Sequence, residues 1–247
     1  MFLSKTTLKM TSRSKLHLLV DADPIAYRIG FASQSKDKET GLVTADPLSY
    51  ALHSCDVWIN EMLEDSGCGS ASFFLTGKEN FRYKVRKDYK ENRRGAGAKK
   101  PIHLDQIRVY LKNKYKAKII EGMEADDALG LLQTEGTAIA TIDKDLLMVE
   151  GLHYNYVKRE WKTVTHEEGE RFFYQQMITG DKVDNIIGIH GMGEKKANRL
   201  LDETPREGWD EAIINLYIEK SDFHRCVQNS MLLWILQRGK EMPIDFS

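Results

Sequence analysis

The sequence predicts an α/β fold with a mainly parallel sheet, followed from about residue 166 by an entirely helical region. Over the first two thirds of the 247-residue chain, short apolar runs alternate with segments of helical periodicity. That alternation is typical of parallel strands joined by helices. Beyond residue 165 the pattern changes, and helical periodicity is found at 167–179, 194–201, 207–217 and 224–237.

Each element follows from its local pattern of apolar residues. Strands are expected at 16–20, 71–75, 118–120 and 137–142. Helices are expected at 47–63, at 101–115 with Pro101 in the first turn, and at 123–133. We therefore predict three parts: a flexible tail at 1–15, a sheet-containing domain at 16–165, and a helical region at 166–247.

The charges of the chain are strongly segregated, although the formal net charge is only −1. Residues 78–100, here called the basic segment, contain ten lysines and arginines but only three acids. Gly95-Ala96-Gly97 in this segment indicates a loop or arch. A basic stretch combined with acidic clusters elsewhere is typical of a protein that holds a polyanion at a metal site.

Composition excludes several classes of protein. No apolar run approaches the ~18–20 residues that a membrane-spanning helix needs. Cys55, Cys68 and Cys226 show no CxxC spacing, which indicates reduced thiols and a reducing compartment such as the cytoplasm, not a disulfide framework or zinc site. The first fifteen residues lack acids, as transit peptides do, but we favour a disordered tail; Met10 is a further candidate start.

Four acidic motifs follow predicted strands or lie beside a glycine-rich turn, and parallel sheets present functional groups at the carboxyl ends of their strands. The motifs are Asp21 with Asp23, Glu124 with Asp126 and Asp127, Asp143 with Asp145, and Asp181 with Asp184. Asp143 and Asp145 point to one side if extended, and Asp181 and Asp184 share a face if helical.

About eight carboxylates in one pocket would raise each other's pKa values unless cations were bound between them. Oxygen ligands without His or Cys favour Mg²⁺ or Mn²⁺ over zinc. Two such ions roughly 3.5–4 Å apart would clamp the attacking and leaving oxygens of a phosphoryl displacement.

Each acidic motif also has a simpler interpretation when it is taken alone. EADD is typical of a helix N-cap and DKD of a turn, and we interpret Asp23, before Pro24, as a cap for the following helix. The metal-site hypothesis therefore depends on the coincidence of the four motifs.

Gly188, Gly191 and Gly193 form a glycine-rich turn that opens onto a helix headed by Lys195 and Lys196. Unpaired backbone N–H groups and the helix dipole favour an anion at such a helix start. A phosphate-binding turn next to a pair of carboxylates indicates an enzyme that acts on a phosphodiester backbone. A dinucleotide-binding loop is a weaker alternative, because no βαβ unit surrounds the glycines.

With these motifs, the chain resembles the 5′-nuclease (flap endonuclease-like) family, which includes bacteriophage replication 5′–3′ exonucleases. The matching pieces lie between residues 16 and 201 and are LLVDAD, RYKVRKDYKENRR, GMEADDALG, TIDKDLL and GDKVDNIIGIHGMGEKKA. The resemblance implies a PIN-like α/β domain followed by a helix–three-turn–helix (H3TH) motif. In the family this motif grips duplex DNA through backbone amides, often with a K⁺ ion.

The resemblance also implies roles for individual residues. The first metal region would contain Asp21, Glu124, Asp126 and Asp127, and the second Asp143, Asp145, Asp181 and Asp184. In the arch, Tyr89 would stack on a base while Lys90 and Arg93 neutralise the scissile phosphate as catalytic residues. The further DNA contacts expected are Arg82, Arg86, Gly191, Gly193, Lys195 and Lys196.

One departure from the family pattern concerns the end of the second strand, where many members carry another Asp. This chain has Thr76 or Gly77 there, depending on the alignment. The missing carboxylate would either weaken one metal or be replaced by water. With the other eight positions intact, we still expect activity.

We therefore expect a structure-specific 5′ nuclease, a 5′–3′ exonuclease or flap endonuclease that uses two metal ions in DNA replication or repair. Its substrate would be DNA with a 5′ end or 5′ flap, or an RNA–DNA hybrid, in the host cytoplasm if the chain is of phage origin. One alternative is a catalytically weakened DNA-structure-binding protein. The other is a haloacid-dehalogenase-type phosphatase, because Asp21-Ala22-Asp23 is similar to the nucleophile motif of that class and Asp181-x-x-Asp184 is similar to its metal motif. The sequence does not rank exonuclease, flap endonuclease and RNase H-like activities, and it names no protein partner.

Overall fold

A six-stranded sheet forms the centre of the fold in the computed structural model, which describes residues 13–93 and 100–246. Its strands are β1 (His17–Asp21), β4 (Ser70–Asn80), β5 (Lys118–Gly122), β6 (Thr137–Ala140), β7 (Gly151–Asn155) and β8 (Glu160–Val164), in the order β5-β4-β1-β6-β7-β8. All neighbouring pairs are parallel except β7 and β8. The mainly parallel sheet is thus confirmed. The short strands β2 (Gln34–Lys36) and β3 (Val43–Ala45) form a separate hairpin.

Helices connect the strands and then form the second part of the chain. The first group is α1 (Asp23–Ala32), α2 (Leu48–Ser66), α3 (Arg82–Val85), α4 (Leu104–Lys114) and α5 (Ala125–Leu132). The second group is α6 (His166–Thr179), α7 (Glu194–Glu203), α8 (Trp209–Lys220) and α9 (Phe223–Leu233). Thr165 caps α6 by accepting from Glu168 N, and Glu168 accepts from Thr165 N in return.

Both faces of the sheet are covered by apolar side chains, because successive residues of a strand point to opposite faces. Leu18 and Val20 of β1 belong to one cluster, which includes residues of α1, α2 and α4. Leu19 belongs to the other cluster, which includes residues of α5, α6 and the helices beyond. With both faces buried, the strand ends remain as the place for functional groups.

Several predicted boundaries are wrong. Strand β6 ends at Ala140 instead of residue 142, and helix α9 ends at Leu233 instead of residue 237. Helix α4 begins at Leu104, so that Pro101 precedes the helix; Leu104 N donates to the Pro101 carbonyl at 3.2 Å. The antiparallel pair β7–β8 lies in a stretch for which no strand was predicted.

The division of the chain near residue 165 remains a prediction. Strand β8 ends at Val164 and α6 begins at His166, which agrees with a change from mixed to helical structure. One apolar cluster nevertheless contains Leu129 and Ile139 from before the boundary and Phe173 and Ile213 from beyond it. The two parts therefore share a core.

Helix α6, a set of turns and helix α7 form the predicted helix–three-turn–helix. Two short antiparallel strands, β9 (Gly180–Asp181) and β10 (Ile186–Ile187), lie between the helices. The backbones at Gly180 and Gly188 approach so closely that a Cβ on Gly180 would lie 2.3 Å from Gly188 N. No helix in the described parts of the chain is long and apolar enough to cross a membrane.

Candidate metal and nucleic-acid site

Four of the predicted metal ligands line one cavity at the carboxyl ends of the central strands. Asp21 ends β1, Asp143 follows β6, and Glu124 and Asp126 lie at the start of α5, just after β5. Because the strands are parallel, their carboxyl ends lie along one edge of the sheet. The cavity has a volume of about 520 Å³, and all four carboxylates line it.

Two threonines, Thr76 within β4 and Thr141 just after β6, hold these acids in place. Thr141 Oγ1 donates to Asp21 Oδ2 at 3.0 Å and accepts from Asp143 N at 2.9 Å. At the end of the straight part of β4, Thr76 Oγ1 accepts from Ala125 N at 3.0 Å. Thr76, one of the two residues that could stand where the family pattern has an acid, therefore fixes the first turn of the helix that carries Glu124 and Asp126.

A second group of carboxylates consists of Asp145, Asp181 and Asp184, with one oxygen of each lying within 4.8 Å of the others. A turn after β9 brings Asp181 and Asp184 together, and Val183 N donates to Asp181 Oδ1 at 2.7 Å. The two acids are neighbours in a turn and not in a helix, so the helical arrangement considered for them does not apply. Glu124 and Asp126 border this group as well, so that the two groups adjoin.

Asp143 and Asp145 are not extended, so the one-sided arrangement considered for a strand does not apply to them. Strand β6 has ended before them, and Asp145 begins a 3₁₀ turn that runs to Met148. Asp145 N donates to Asp143 Oδ1 at 2.9 Å, as in a turn closed by an Asp side chain. Gln176 of α6 donates to Asp145 Oδ1 at 2.7 Å and orients that carboxylate.

Burial and mutual repulsion raise the pKa of several of these acids. Desolvation and the charge of Asp23 raise the pKa of Asp21 to about 8. Desolvation and the charge of Asp143 raise the pKa of Asp145 to about 7. Desolvation, with the charge of Asp21, also raises the pKa of Asp126 well above its usual range. The site therefore holds an excess of negative charge that a bound cation would offset.

Two cations of the basic segment contact the carboxylates. Lys90 Nζ lies 2.5 Å from Glu124 Oε1 and 3.4 Å from Asp184 Oδ2. Arg93 Nη2 lies 2.5 Å from Asp184 Oδ1. Burial opposes ionisation of Glu124, but the charges of Lys90 and Arg82 outweigh it and lower the pKa of Glu124. The predicted metal ligands Glu124 and Asp184 therefore lie next to the two cations that were expected to neutralise the scissile phosphate.

The α/β fold agrees with the family that the sequence matches. Residues 16–178 match the family described as 5′–3′ exonuclease, N-terminal resolvase-like domain. The chain belongs to the 5′–3′ exonuclease family.

Curated relatives of this exonuclease-family chain include bacterial DNA polymerases I. It is 28% identical over 220 residues to the DNA polymerase I of Bacillus subtilis (strain 168), an alignment that covers 78% of this chain and 24% of that protein. It is 28% identical over 211 residues to the thermostable DNA polymerase I of Thermus aquaticus, covering 75% of this chain and 24% of that protein. The chain spans about a quarter of the length of these relatives.

Solved structures share the fold of this exonuclease-family chain. The T5 D15 protein co-crystallised with metal ions is 20% identical with a TM-score of 0.61, covering 89% of this chain and 88% of that chain. The catalytic core of Rad2 in complex with DNA substrate is 15% identical with a TM-score of 0.54, covering 96% and 84%. These likenesses show that the α/β fold and the helices after it are shared.

Arg82 and Asp127 lie away from the place that the sequence predicted for them. Both side chains are buried, and Arg82 Nη1 and Nη2 donate to the two Asp127 oxygens at 2.5 and 2.9 Å. Arg82 also donates to the carbonyls of Leu232 and Trp234, and Asp127 accepts from Leu236 N. Arg82 therefore does not present its charge to DNA, and Asp127 has no oxygen directed at the cavity. This pair joins the basic segment, α5 and the C-terminal segment.

Tyr89 and Arg86 are also engaged within the protein. Tyr89 is buried, and its hydroxyl donates to Glu124 at 3.1 Å and to Asp184 at 3.0 Å, so it is not exposed for stacking on a base. Arg86 pairs with Asp88 and donates to the Asn185 carbonyl. Both side chains instead tie the basic segment to the turn that carries Asp184. The arch predicted at Gly95-Ala96-Gly97 lies outside the described residues.

A helix begins directly after the glycine-rich turn, as predicted. Gly193 is the N-cap of α7, and Gly191 has a φ of 75°, a left-handed conformation that favours glycine. Lys195 and Lys196 lie exposed in the first turn of α7, and Lys196 Nζ donates to the Gly191 carbonyl at 2.8 Å. The two lysines thus lie beside a helix N-terminus, where the helix dipole favours an anion.

The sequence analysis missed one ion pair at the cavity. Asp23 is not a cap, because Ala22 occupies the N-cap position of α1 without a side-chain bond. Its carboxylate accepts from Thr76 N at 2.8 Å and from Arg108 of α4. The Pro after Asp23 is a signal for a helix start, and no local pattern links Asp23 to an arginine 85 residues further on.

Proposed function

We propose that this chain is a divalent-metal-dependent 5′ nuclease that hydrolyses phosphodiesters of DNA near a 5′ end or at a 5′ flap. The observation that carries the proposal is the convergence of two adjoining carboxylate groups beside Lys90 and Arg93. Membership of the 5′–3′ exonuclease family supports the same activity.

The donor atoms fit hard divalent cations. Asp145, Asp181 and Asp184 offer three oxygens within 4.8 Å of one another, and Asp21, Glu124, Asp126 and Asp143 line the adjoining cavity. Oxygen-only ligands favour Mg²⁺ or Mn²⁺, and the two groups would hold one ion each. Such ions would supply activation of water and stabilisation of the charge that develops on the phosphoryl group.

The protein's own side chains would position the strand and neutralise its charge. Lys90 and Arg93 now pair with Glu124 and Asp184, and a cation bound at those acids would release them toward the scissile phosphate. Gly191 and Gly193, with Lys195 and Lys196, would hold the duplex backbone, and a K⁺ ion at this turn is part of the proposal. We do not extend DNA contact to Arg82, nor metal binding to Asp127.

The substrate range follows from sequence-independent contacts with a sugar–phosphate backbone. DNA with a 5′ end or a 5′ flap is the proposed substrate, and an RNA–DNA hybrid offers the same phosphates. Three free cysteines, of which Cys55 and Cys226 are buried, agree with the reducing cytoplasm that we propose as the location.

A labelled-substrate assay tests this function. A 5′-labelled flap duplex and its blunt counterpart are incubated with the protein in Mg²⁺, in Mn²⁺ or in EDTA. Short labelled products with either metal and none in EDTA are expected, and product length separates stepwise trimming from flap removal. An Asp145→Asn variant is the matched control, because it removes one predicted ligand without changing the fold.

Thr76 supports one second candidate, a DNA-structure-binding protein with a weakened site, because this position carries no acid. In the same assay that protein would shift the flap duplex on a gel and leave its label intact in every metal. Such a result would contradict the nuclease proposal.

A further inference from the structure

Arg108 is a cavity cation that comes from outside the basic segment. It lies on α4, and its side chain lines the same cavity as Asp21, Glu124, Asp126 and Asp143. Lys90 and Arg93 also line the cavity, but they pair with predicted metal ligands. Arg108 pairs with Asp23, which is not one of them.

Arg108 is held in a closed set of three contacts. Its Nη1 donates to Asp23 Oδ1, and its Nη2 donates to the Thr76 carbonyl. Asp23 Oδ2 in turn accepts from Thr76 N at 2.8 Å. Because a guanidinium is planar, two such contacts fix its orientation as well as its position.

Close packing of the two helices also fixes the distance between Asp23 and Arg108. A Cβ on Gly30 of α1 would lie only 2.5 Å from Pro101 Cβ, just before α4, and 3.6 Å from Ile107 Cδ1 of α4, so these side chains pack directly against the Gly30 backbone. Asp23 begins α1 and Arg108 lies on α4. Helix packing therefore places Arg108 at the cavity independently of the ion pair.

Arg108 retains hydrogen-bond donors that Arg82 does not. The side chain of Arg82 is 2% exposed and that of Arg108 is 23% exposed. Among the described residues Arg108 donates two hydrogen bonds, and a guanidinium has five N–H groups. Both oxygens of Asp23 are engaged by Arg108 and Thr76, so Asp23 acts as an anchor for Arg108. A fixed guanidinium with open donors suits a phosphate oxygen.

We propose that Arg108, anchored by Asp23 and Thr76, binds a phosphate oxygen of the nucleic-acid strand in the cavity. This inference rests on the proposed nuclease function, because it requires a phosphodiester strand at the carboxylates. Lys90 and Arg93 pair with predicted metal ligands, whereas Arg108 pairs with Asp23. Arg108 would therefore be free to contact the phosphate whether or not a metal ion is bound.

The test measures binding of a fluorescein-labelled 5′-flap duplex in EDTA, by anisotropy, over a range of salt concentrations. Arg108→Gln should raise the Kd about five- to tenfold and lower the slope of log Kd against log salt by about one. Lys112→Gln, which removes an exposed cation from the same helix, should change the Kd less than twofold. The affinity of Arg108→Gln for Mn²⁺, measured by calorimetry, should equal that of the wild type.

A double variant separates a phosphate contact from a structural role and from general charge. Asp23→Asn/Arg108→Gln keeps the net charge and leaves no unpaired carboxylate, so it remains informative if Arg108→Gln does not fold. Weaker DNA binding and a lower salt slope in this variant support the contact. Wild-type DNA affinity and slope in both variants would overturn it. Cleavage of the flap duplex by the wild type is measured in a separate assay. Cleavage together with unchanged DNA binding in both variants would reject the Arg108 contact alone, whereas absence of cleavage would reject the nuclease function.

Discussion

Two acid–base contacts lie at the first turn of α5 and differ in what else they touch. Arg82 and Asp127 are buried, and backbone groups of Leu232, Trp234 and Leu236 complete their hydrogen bonds. Lys90 and Glu124 lie at the wall of the cavity, where Glu124 borders both carboxylate groups. One sequence motif, EADD, supplies both carboxylates.

A charged side chain whose hydrogen bonds are all made inside the protein therefore has a structural role, whereas one at the cavity wall can still contact a ligand. Residue type alone does not distinguish the two. Breaking a buried ion pair by removing one partner costs about 3–5 kcal/mol, because the other charge is left uncompensated. The contacts of Lys90 and Arg93 involve carboxylates that a divalent cation would also attract. Substitutions at the two places should therefore affect different properties of the protein.

The largest effect is expected for Asp145→Asn, which removes a carboxylate of the second group. Cleavage of the flap substrate should fall about 10²–10³-fold, because the loss of one preorganised charge-stabilising group typically costs that much. DNA binding in EDTA should stay within twofold of the wild type. Unchanged turnover in this variant would remove the second group from the proposed mechanism.

Asp127→Asn should act on stability instead. It leaves the buried Arg82 guanidinium without its ion partner, and the expected loss of about 3–5 kcal/mol corresponds to a fall in Tm of roughly 10 °C for a chain of this size. Asp126→Asn is the matched control on the same turn; it should leave the Tm unchanged or raise it, because it removes a repelled carboxylate. Equal Tm values for the two variants would show that the buried pair carries no special stability.

Lys90→Ala should slow cleavage about 10²-fold at saturating substrate, because it removes a charge placed to neutralise the phosphate. Lys84→Ala, which removes an exposed cation from the same basic segment, should change the rate less than twofold. Measurement of single-turnover rates for both variants checks this. If the two substitutions slow cleavage equally, Lys90 contributes only general charge.

The smallest effect is a pH dependence of stability without metal. Asp21 and Asp145 have pKa values of about 8 and about 7 in the folded chain, raised from near 4 mainly by burial. Their protonated forms favour folding, so this contribution is complete below about pH 4 and is lost as pH rises through 7 to 8. In EDTA the Tm should fall between pH 6 and pH 9, and Mg²⁺ should reduce that fall. A Tm that rises over this range would contradict the raised pKa values.

Much of the site could be predicted because its placement follows from the parallel sheet. Asp21, Asp143 and the start of α5 follow β1, β6 and β5, and the carboxyl ends of parallel strands meet at one edge. The helix start at Gly193 could be predicted from glycine spacing and the lysines after it. These features depend on local patterns and on one general rule of topology.

The rest could not be predicted because its partners are distant in the chain. The carbonyls that engage Arg82 belong to Leu232 and Trp234, 150 and 152 residues away. The inward direction of Tyr89 depends on Asp184, 95 residues away. The composition of the basic segment does not distinguish one of its cations from another. Their different positions, buried for Arg82 and at the cavity for Lys90, depend on contacts with distant parts of the chain.

The most direct test of a divalent-metal site is a calorimetric titration of the metal-free protein with Mn²⁺ at pH 7.5, with Asp145→Asn and Asp127→Asn alongside. We expect two bound ions in the wild type, one in Asp145→Asn, and two in any folded Asp127→Asn protein. Absence of saturable Mn²⁺ binding to the wild type, or its loss in folded Asp127→Asn alone, would contradict it.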